Sequence, residues 1–170
     1  MPELAVAVLG PDRPGVIAAL SEVLLAGSGN LEDASMTILR GQFAMTLVVD
    51  VDMTADAVSA DLAPVAERLG LLISVRDAPL GSVTDGGGEP YVVSVHGADR
   101  PGIVHRVTAA VARAGGNITD LSTRLAGGMY VLVADVDLPG TPDGLGAELT
   151  VVSAELGVEA RLRAGDADLL

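Results

Sequence analysis

The chain has 170 residues, a formal net charge of −13 and an isoelectric point near 4.2, a balance that argues against direct grip on a nucleic-acid backbone. Its ten cationic residues are all arginine, and lysine is absent, which excludes a phosphate-loop lysine and Schiff-base chemistry. It has no cysteine, which removes disulfides, thiolate metal sites and cysteine nucleophiles. With 49% hydrophobic residues the chain is too apolar for a disordered solvating tail. No apolar stretch approaches the ~20 residues needed to cross a bilayer. The N-terminus has no basic segment leading into an apolar run, so no export signal and no membrane partner are expected, and cytoplasm is the default compartment.

The chain repeats itself. Gly10-Pro11-Asp12-Arg13-Pro14-Gly15 recurs as Gly97-Ala98-Asp99-Arg100-Pro101-Gly102, an offset of 87 positions. The same offset carries Gly29-Asn30 onto Gly116-Asn117, Asp33 onto Asp120, Phe43 onto Tyr130 and Leu69-Gly70 onto Leu156-Gly157. Two small domains are therefore expected, over residues 1–78 and 90–163. A glycine-rich linker over 79–89 joins them, because three consecutive glycines suit neither a helix nor a central strand. Residues 164–170 read as an acidic tail.

In chain order, Leu4–Leu9 is a nearly continuous apolar run, which predicts a buried strand. Gly10 to Pro14 breaks it, and Gly15 to about Gly27 predicts a helix with Val16, Leu20, Val23 and Leu24 on its core face. Gly29 is the expected positive-φ cap. Leu31–Leu39 and Phe43–Val51 predict an antiparallel hairpin turned by Arg40-Gly41. A second helix over Ala55–Leu69, with Val58, Leu62, Val65, Ala66 and Leu69 inward, leads to a strand over Leu71–Val75. The second copy predicts strands at Tyr91–His96, Asn117–Leu125, Met129–Asp137 and Val158–Leu162, and helices at Ile103–Ala114 and Asp143–Leu156. Each half is thus strand, helix, strand, strand, helix, strand. The expected fold class is α+β: two ferredoxin-like units, each a four-stranded antiparallel sheet with two helices on one face. The other sheet face stays bare and can pack sheets together or support a homo-oligomer.

The repeated Asp-Arg-Pro-Gly corner is the functional candidate. Pro14 and Pro101 fix φ at a helix start, and Gly15 and Gly102 let a ligand approach the backbone. The first-turn amides attract a carboxylate or phosphate. Asp12 or Asp99 can cap those amides or receive an ammonium group, and Arg13 or Arg100 can clasp a carboxylate. Asn30 and Asn117 each offer a donor and an acceptor at the far end of the helix. The plain alternative is turn chemistry and a helix stop.

These motifs resemble those of tandem ACT domains, regulatory modules of amino-acid metabolism. The resemblance spans residues 3–77 and 90–163 and is nearest to the stand-alone glycine cleavage system transcriptional repressors. Similar halves occur in formyltetrahydrofolate deformylases, serine phosphatases and uridylyltransferases. The resemblance implies a small amino acid, such as glycine or serine, bound near an ACT–ACT interface. Its glycine loop maps to Asp12, Arg13, Pro14 and Gly15, and to Asp99, Arg100, Pro101 and Gly102. The residues entering the second strand map to Asn30 and Leu31, and to Asn117 and Ile118. His105, where the first copy has Ala18, is a further ligand-proximal position.

Catalytic and cofactor signals are weak. His96 and His105, the two histidines, fall near one loop, but no histidine–carboxylate pattern supports a metal site or acid–base pair. No serine lies in a nucleophile-elbow pattern. Asp50-Val51-Asp52 and Asp135-Val136-Asp137 read as solvated strand ends. No catalytic residue, metal or cofactor is expected. The leading reading is a non-catalytic sensor that modulates a protein partner, with any transcriptional control acting through that partner. The other readings are a ligand-independent scaffold and a small enzyme using the corner acids and histidines.

Overall fold

The computed structural model describes residues 3–78 and 87–165. The chain divides into two compact units. The first contains β1 (Glu3–Pro11), α1 (Val16–Ala26), β2 (Asn30–Leu39), β3 (Gln42–Asp50), α2 (Ala55–Leu69) and β4 (Leu72–Asp77). The second contains β5 (Glu89–Ala98), α3 (Ile103–Arg113), β6 (Asn117–Ala126), β7 (Met129–Leu138), α4 (Asp143–Leu156) and β8 (Val158–Ala164). Both sheets are antiparallel, ordered β2-β3-β1-β4 and β6-β7-β5-β8. Each unit is the expected βαββαβ arrangement. No helix among the described residues is long and apolar enough to cross a membrane.

Alternation along the strands decides which face is buried. In the first unit Leu4, Val6 and Val8 of β1 and Phe43, Met45, Leu47 and Val49 of β3 point into one core. Val16, Leu20 and Leu24 of α1 close over them together with Val58, Leu62 and Val65 of α2. The second unit repeats the plan, with Val93, Val95, Leu132, Ala134 and Val136 beneath Ile103, Val107, Leu145 and Leu149. Among the described residues the opposite sheet face carries no helix, as the sequence led us to expect.

Several local expectations need correction. Helix α1 ends at a Gly27 cap with φ −80°. Ser28, at φ 58°, takes the left-handed conformation expected of Gly29. Gly29 is instead needed for space: a Cβ there would lie 2.9 Å from the Leu24 carbonyl oxygen and 3.0 Å from Val49. Gly15, not Pro14, immediately precedes the helix, so Pro14 sits in the turn. Strand β5 begins at Glu89, within the stretch assigned to the linker. Gly88 lies against the Leu138 backbone, while linker residues 79–86 are outside the described residues. The tail begins later than expected: Ala164 is in β8 and the Gly165 amide donates to the Pro90 carbonyl. Residues 166–170 of that tail are outside the described residues.

Candidate functional site

Both repeated corners sit where a central strand hands over to the first helix of its unit. In the first, the Asp12 amide donates to the Gly41 carbonyl at 2.9 Å, tying the corner to the β2–β3 turn. Gly15 then adopts φ 87°, and its carbonyl receives the first helical hydrogen bond from Ala19. Gly102 does the same at φ 94°, with Arg106 as donor. A left-handed residue at this point favours glycine because any Cβ would crowd the backbone.

Neither helix start carries a side-chain cap. Of the two roles open to Asp12 and Asp99, capping their own first turn is not the one seen. The left-handed glycine stands in the capping position, so no side-chain oxygen is supplied there. Asp12, Arg13, Pro14, Gly15 and their counterparts Asp99, Arg100, Pro101 and Gly102 are all exposed. A Cβ built on Gly15 or Gly102 would meet nothing within 4 Å. The corners thus present open backbone whose first-turn amides no side chain caps, a local concentration of positive potential; in the first unit the Val16 amide turns back to the Arg13 carbonyl at 3.4 Å.

The two corners differ in where the arginine rests. The Arg100 guanidinium lies 3.9 Å from a Cβ placed on Gly157, the residue ending α4. There it faces the negative end of that helix. Among the described residues no ion pair involves Arg13 or Arg100.

Asn30 and Asn117 open β2 and β6. Within one unit the structure does not bring corner and asparagine together. Helix α1 or α3 separates them, and its 11 residues span roughly 16 Å. A site using both groups is therefore not formed within one unit. The asparagines also differ: Asn30 Nδ2 donates to Glu32 Oε1 at 2.8 Å. In the second unit the equivalent of Glu32 is Thr119, whose hydroxyl donates to the Asp135 carbonyl at 3.3 Å. Glu32 and Thr119 are each the extra residue of a β-bulge, between Leu31 and Asp33 and between Ile118 and Asp120. The sequence reading missed these bulges. Their only trace is an acid at Asp33 and Asp120 that breaks strict alternation.

Leu31 lines a narrow cleft of about 20 Å³ between α1 and the sheet, with Ile17, Ser21 and Met45. Ile118 is half-buried beside the second core. His105 is exposed on the first turns of α3.

His96 and His105 do not converge. His96 projects from β5 on the bare face, where its Nε2 lies 2.8 Å from Glu159 Oε2. Helix α3, carrying His105, covers the other face. Among the described residues no group of three or more metal-ligating side chains occurs. Hydrogen bonding from Arg161, with the Arg161 and His96 charges beside it, lowers the Glu159 pKa.

On the bare face of the second unit three cross-strand rows, read in the order β6, β7, β5, β8, lie between an Ala126-Met129-Ala98 row and an Asp137-Pro90 row. One row is Arg124, Val131, His96, Glu159. The next is Ser122, Val133, Ser94, Arg161, and the third Asp120, Asp135, Val92, Arg163. An open cleft of about 360 Å³ lies over its β6–β7 side, lined by Arg124, Met129, Val131 and Val133.

The model of the ACT domain matches residues 3–76 and again 89–163. A UPF0237 protein of Methanopyrus kandleri is 38% identical over 79 residues, covering 45% of this chain and 88% of that protein. Another, from Pyrobaculum aerophilum, is 36% identical over 77 residues, covering 43% and 86%. Among solved structures, an unknown protein from Galdieria sulphuraria superposes with a TM-score of 0.81 at 30% identity, covering 97% of this chain and 99% of that one. A "putative glycine cleavage system transcriptional repressor" superposes with a TM-score of 0.71 at 16% identity, covering 95% and 96%.

Proposed function

The chain belongs to the ACT-domain family, and from that premise we propose that it is a non-catalytic regulator that binds a small amino acid. The observation that carries this reading is the pair of open, uncapped helix starts at Gly15 and Gly102. A ligand carboxylate accepts hydrogen bonds from the first-turn amides, while its ammonium meets Asp12 or Asp99. A unit of another copy of the chain supplies Asn30 or Asn117 and closes the site. Arg13 is free to clasp the carboxylate, whereas Arg100 is drawn towards the end of α4. The first-unit corner is therefore the stronger binder, and His105 flanks the other.

Regulation requires the ligand to favour one arrangement over another, and only its differential affinity supplies that energy. The responding element is a protein partner. A surface at net charge −13 disfavours direct contact with DNA, so transcriptional control of the kind named for the repressor-like structure acts through that partner. The family's regulatory character favours this reading over an enzyme.

Calorimetry with the full chain against the common amino acids, glycine and serine first, tests the proposal. We expect saturable binding, weakened by Gly15→Val and by Arg13→Ala about tenfold each, with Arg100→Ala weaker in effect. No heat with any amino acid, or binding indifferent to both Gly15→Val and Gly102→Val, would overturn it.

A further inference from the structure

We propose that the bare sheet face of the second unit is a self-association surface, on which two copies of this chain stack face to face about a two-fold axis parallel to the strands. The proposal does not rest on the ligand reading above. It rests on how charge is laid out on that face.

Across its three rows the face carries Arg124, Arg161 and Arg163 against Glu159, Asp120 and Asp135. Asp137 is the next residue on the same face of β7, so formal charge there is −1 with His96 counted as uncharged, on a chain whose total is −13. The equivalent rows of the first unit, with Asp33 and Arg76, carry little net charge as well. What singles out the second face is the placement of its signs rather than their sum.

The signs sit where a symmetric partner needs them. On the β6 edge the rows read Arg124, Ser122, Asp120; on the β8 edge they read Glu159, Arg161, Arg163. A two-fold axis along the strands lays one copy's β6 edge over the other's β8 edge and keeps the rows aligned. Arg124 then faces Glu159 of the second copy, Asp120 faces its Arg163, and Ser122 faces its Arg161. Symmetry makes each contact twice. A two-fold axis across the strands would also match the corners, but it would stack Arg161 on Arg161.

Shape agrees with charge. Sheets packed face to face lie about 10 Å apart, with the side chains of the two inner faces filling the space between them. The centre here holds Val131 and Val133, which are 38% and 37% exposed. The corners hold the long arginine and glutamate side chains that can span this gap. The first unit keeps one corner of this pattern, with Asp33 and Arg76 where Asp120 and Arg163 stand, but lacks the other: Thr37, Leu9 and Leu72 stand where Arg124, His96 and Glu159 stand in the second.

Charge reversal distinguishes the geometry. Sedimentation velocity of the full chain over a concentration series should show reversible dimers. Arg124→Glu alone, or Glu159→Arg alone, should raise the dimer dissociation constant about tenfold or more, because each breaks two contacts. The double variant should return it close to the wild-type value. Within one sheet these residues sit on opposite edges, so rescue reports contact between copies. With the axis across the strands, Arg124→Glu would face Asp120 and Glu159→Arg would face Arg163, and the double variant would not recover. A wild-type chain that stays monomeric, single variants that change nothing, or a double variant without rescue would each overturn the proposal. Circular dichroism checks folding; if a reversal unfolds the chain, the Asp120→Arg and Arg163→Asp pair repeats the test.

Discussion

Leu9 and Leu72 lie on adjacent strands of the first sheet, and at the equivalent places in the second lie His96 and Glu159. The two leucines are 47% and 73% exposed, while the histidine and glutamate pair at 2.8 Å. The helix layers diverge similarly. Arg113 bonds Glu148 at 2.7 Å and Arg106 pairs with Glu155 between α3 and α4. Ala26, Asp61, Ala19 and Arg68 occupy those places in the first unit. The cores, by contrast, are nearly interchangeable, with Leu20 and Val107 or Leu62 and Leu149 at matching positions. Duplication preserved what each unit needs to fold. It left the outer surfaces to take on separate tasks, because exposed positions are weakly constrained by packing.

The comparison breaks most sharply at a proline. Helix α2 carries Pro64 in its interior, where the equivalent residue of α4 is Val151. Pro64 has no amide to offer the Ala60 carbonyl and its ring crowds the preceding turn. Pro64→Ala should stabilise the first unit by about 1–3 kcal/mol, and Val151→Pro should destabilise the second by about 3 kcal/mol. Chemical denaturation, with hydrogen exchange to locate the change, checks both. If Pro64→Ala leaves stability unchanged, α2 has adapted around its proline and the two helices are not equivalent.

A smaller effect belongs to the ends of α1 and α3. Ser28 holds φ 58° where the second unit has Gly115 at φ 74°. Ser28→Gly should add roughly 1 kcal/mol by relieving the left-handed strain, and Gly115→Ser should remove a similar amount. Thermal melts of the two variants should move in opposite directions. Shifts of the same sign would show that side-chain contacts, rather than backbone conformation, set these positions.

These positions also show what was legible in the sequence and what was not. The fold was readable because the run from Leu4, the helical spacing of Val16, Leu20 and Leu24, and the 87-residue offset are local or periodic signals. The corner was readable because glycine and proline mark conformations few other residues adopt. Ser28 was not, since a serine at positive φ is held there by the close approach of Gly29 to Leu24, a contact the sequence does not display. The bulges at Glu32 and Thr119 depend on cross-strand register, which is set only when β2 pairs with β3 and β6 with β7. The divergence of the bare faces was hidden for the same reason. Arg124 and Glu159 gain meaning only when four strands are placed side by side. The opposite ends of α1 were legible as a helix start and stop, yet their separation within one unit follows from the helix length between them.

The smallest effect concerns Glu159, which has an apolar counterpart, Leu72, in the first unit. Its pKa is lowered chiefly by the hydrogen bond from Arg161, with the Arg161 charge and then His96 adding to it. A lowered folded-state pKa means that the interaction is present above the ordinary carboxylate range and is lost as pH falls through the lowered value. Because Glu159 is solvent-exposed, its main readout is its own titration rather than global stability. In a carboxyl-detected NMR titration, Arg161→Ala should raise the Glu159 pKa more than His96→Ala does. The reverse order would make the cross-strand histidine the principal partner. It would also mean that the exchange of Leu9 and Leu72 for His96 and Glu159 is one coupled event, with Arg161 a bystander on the same strand.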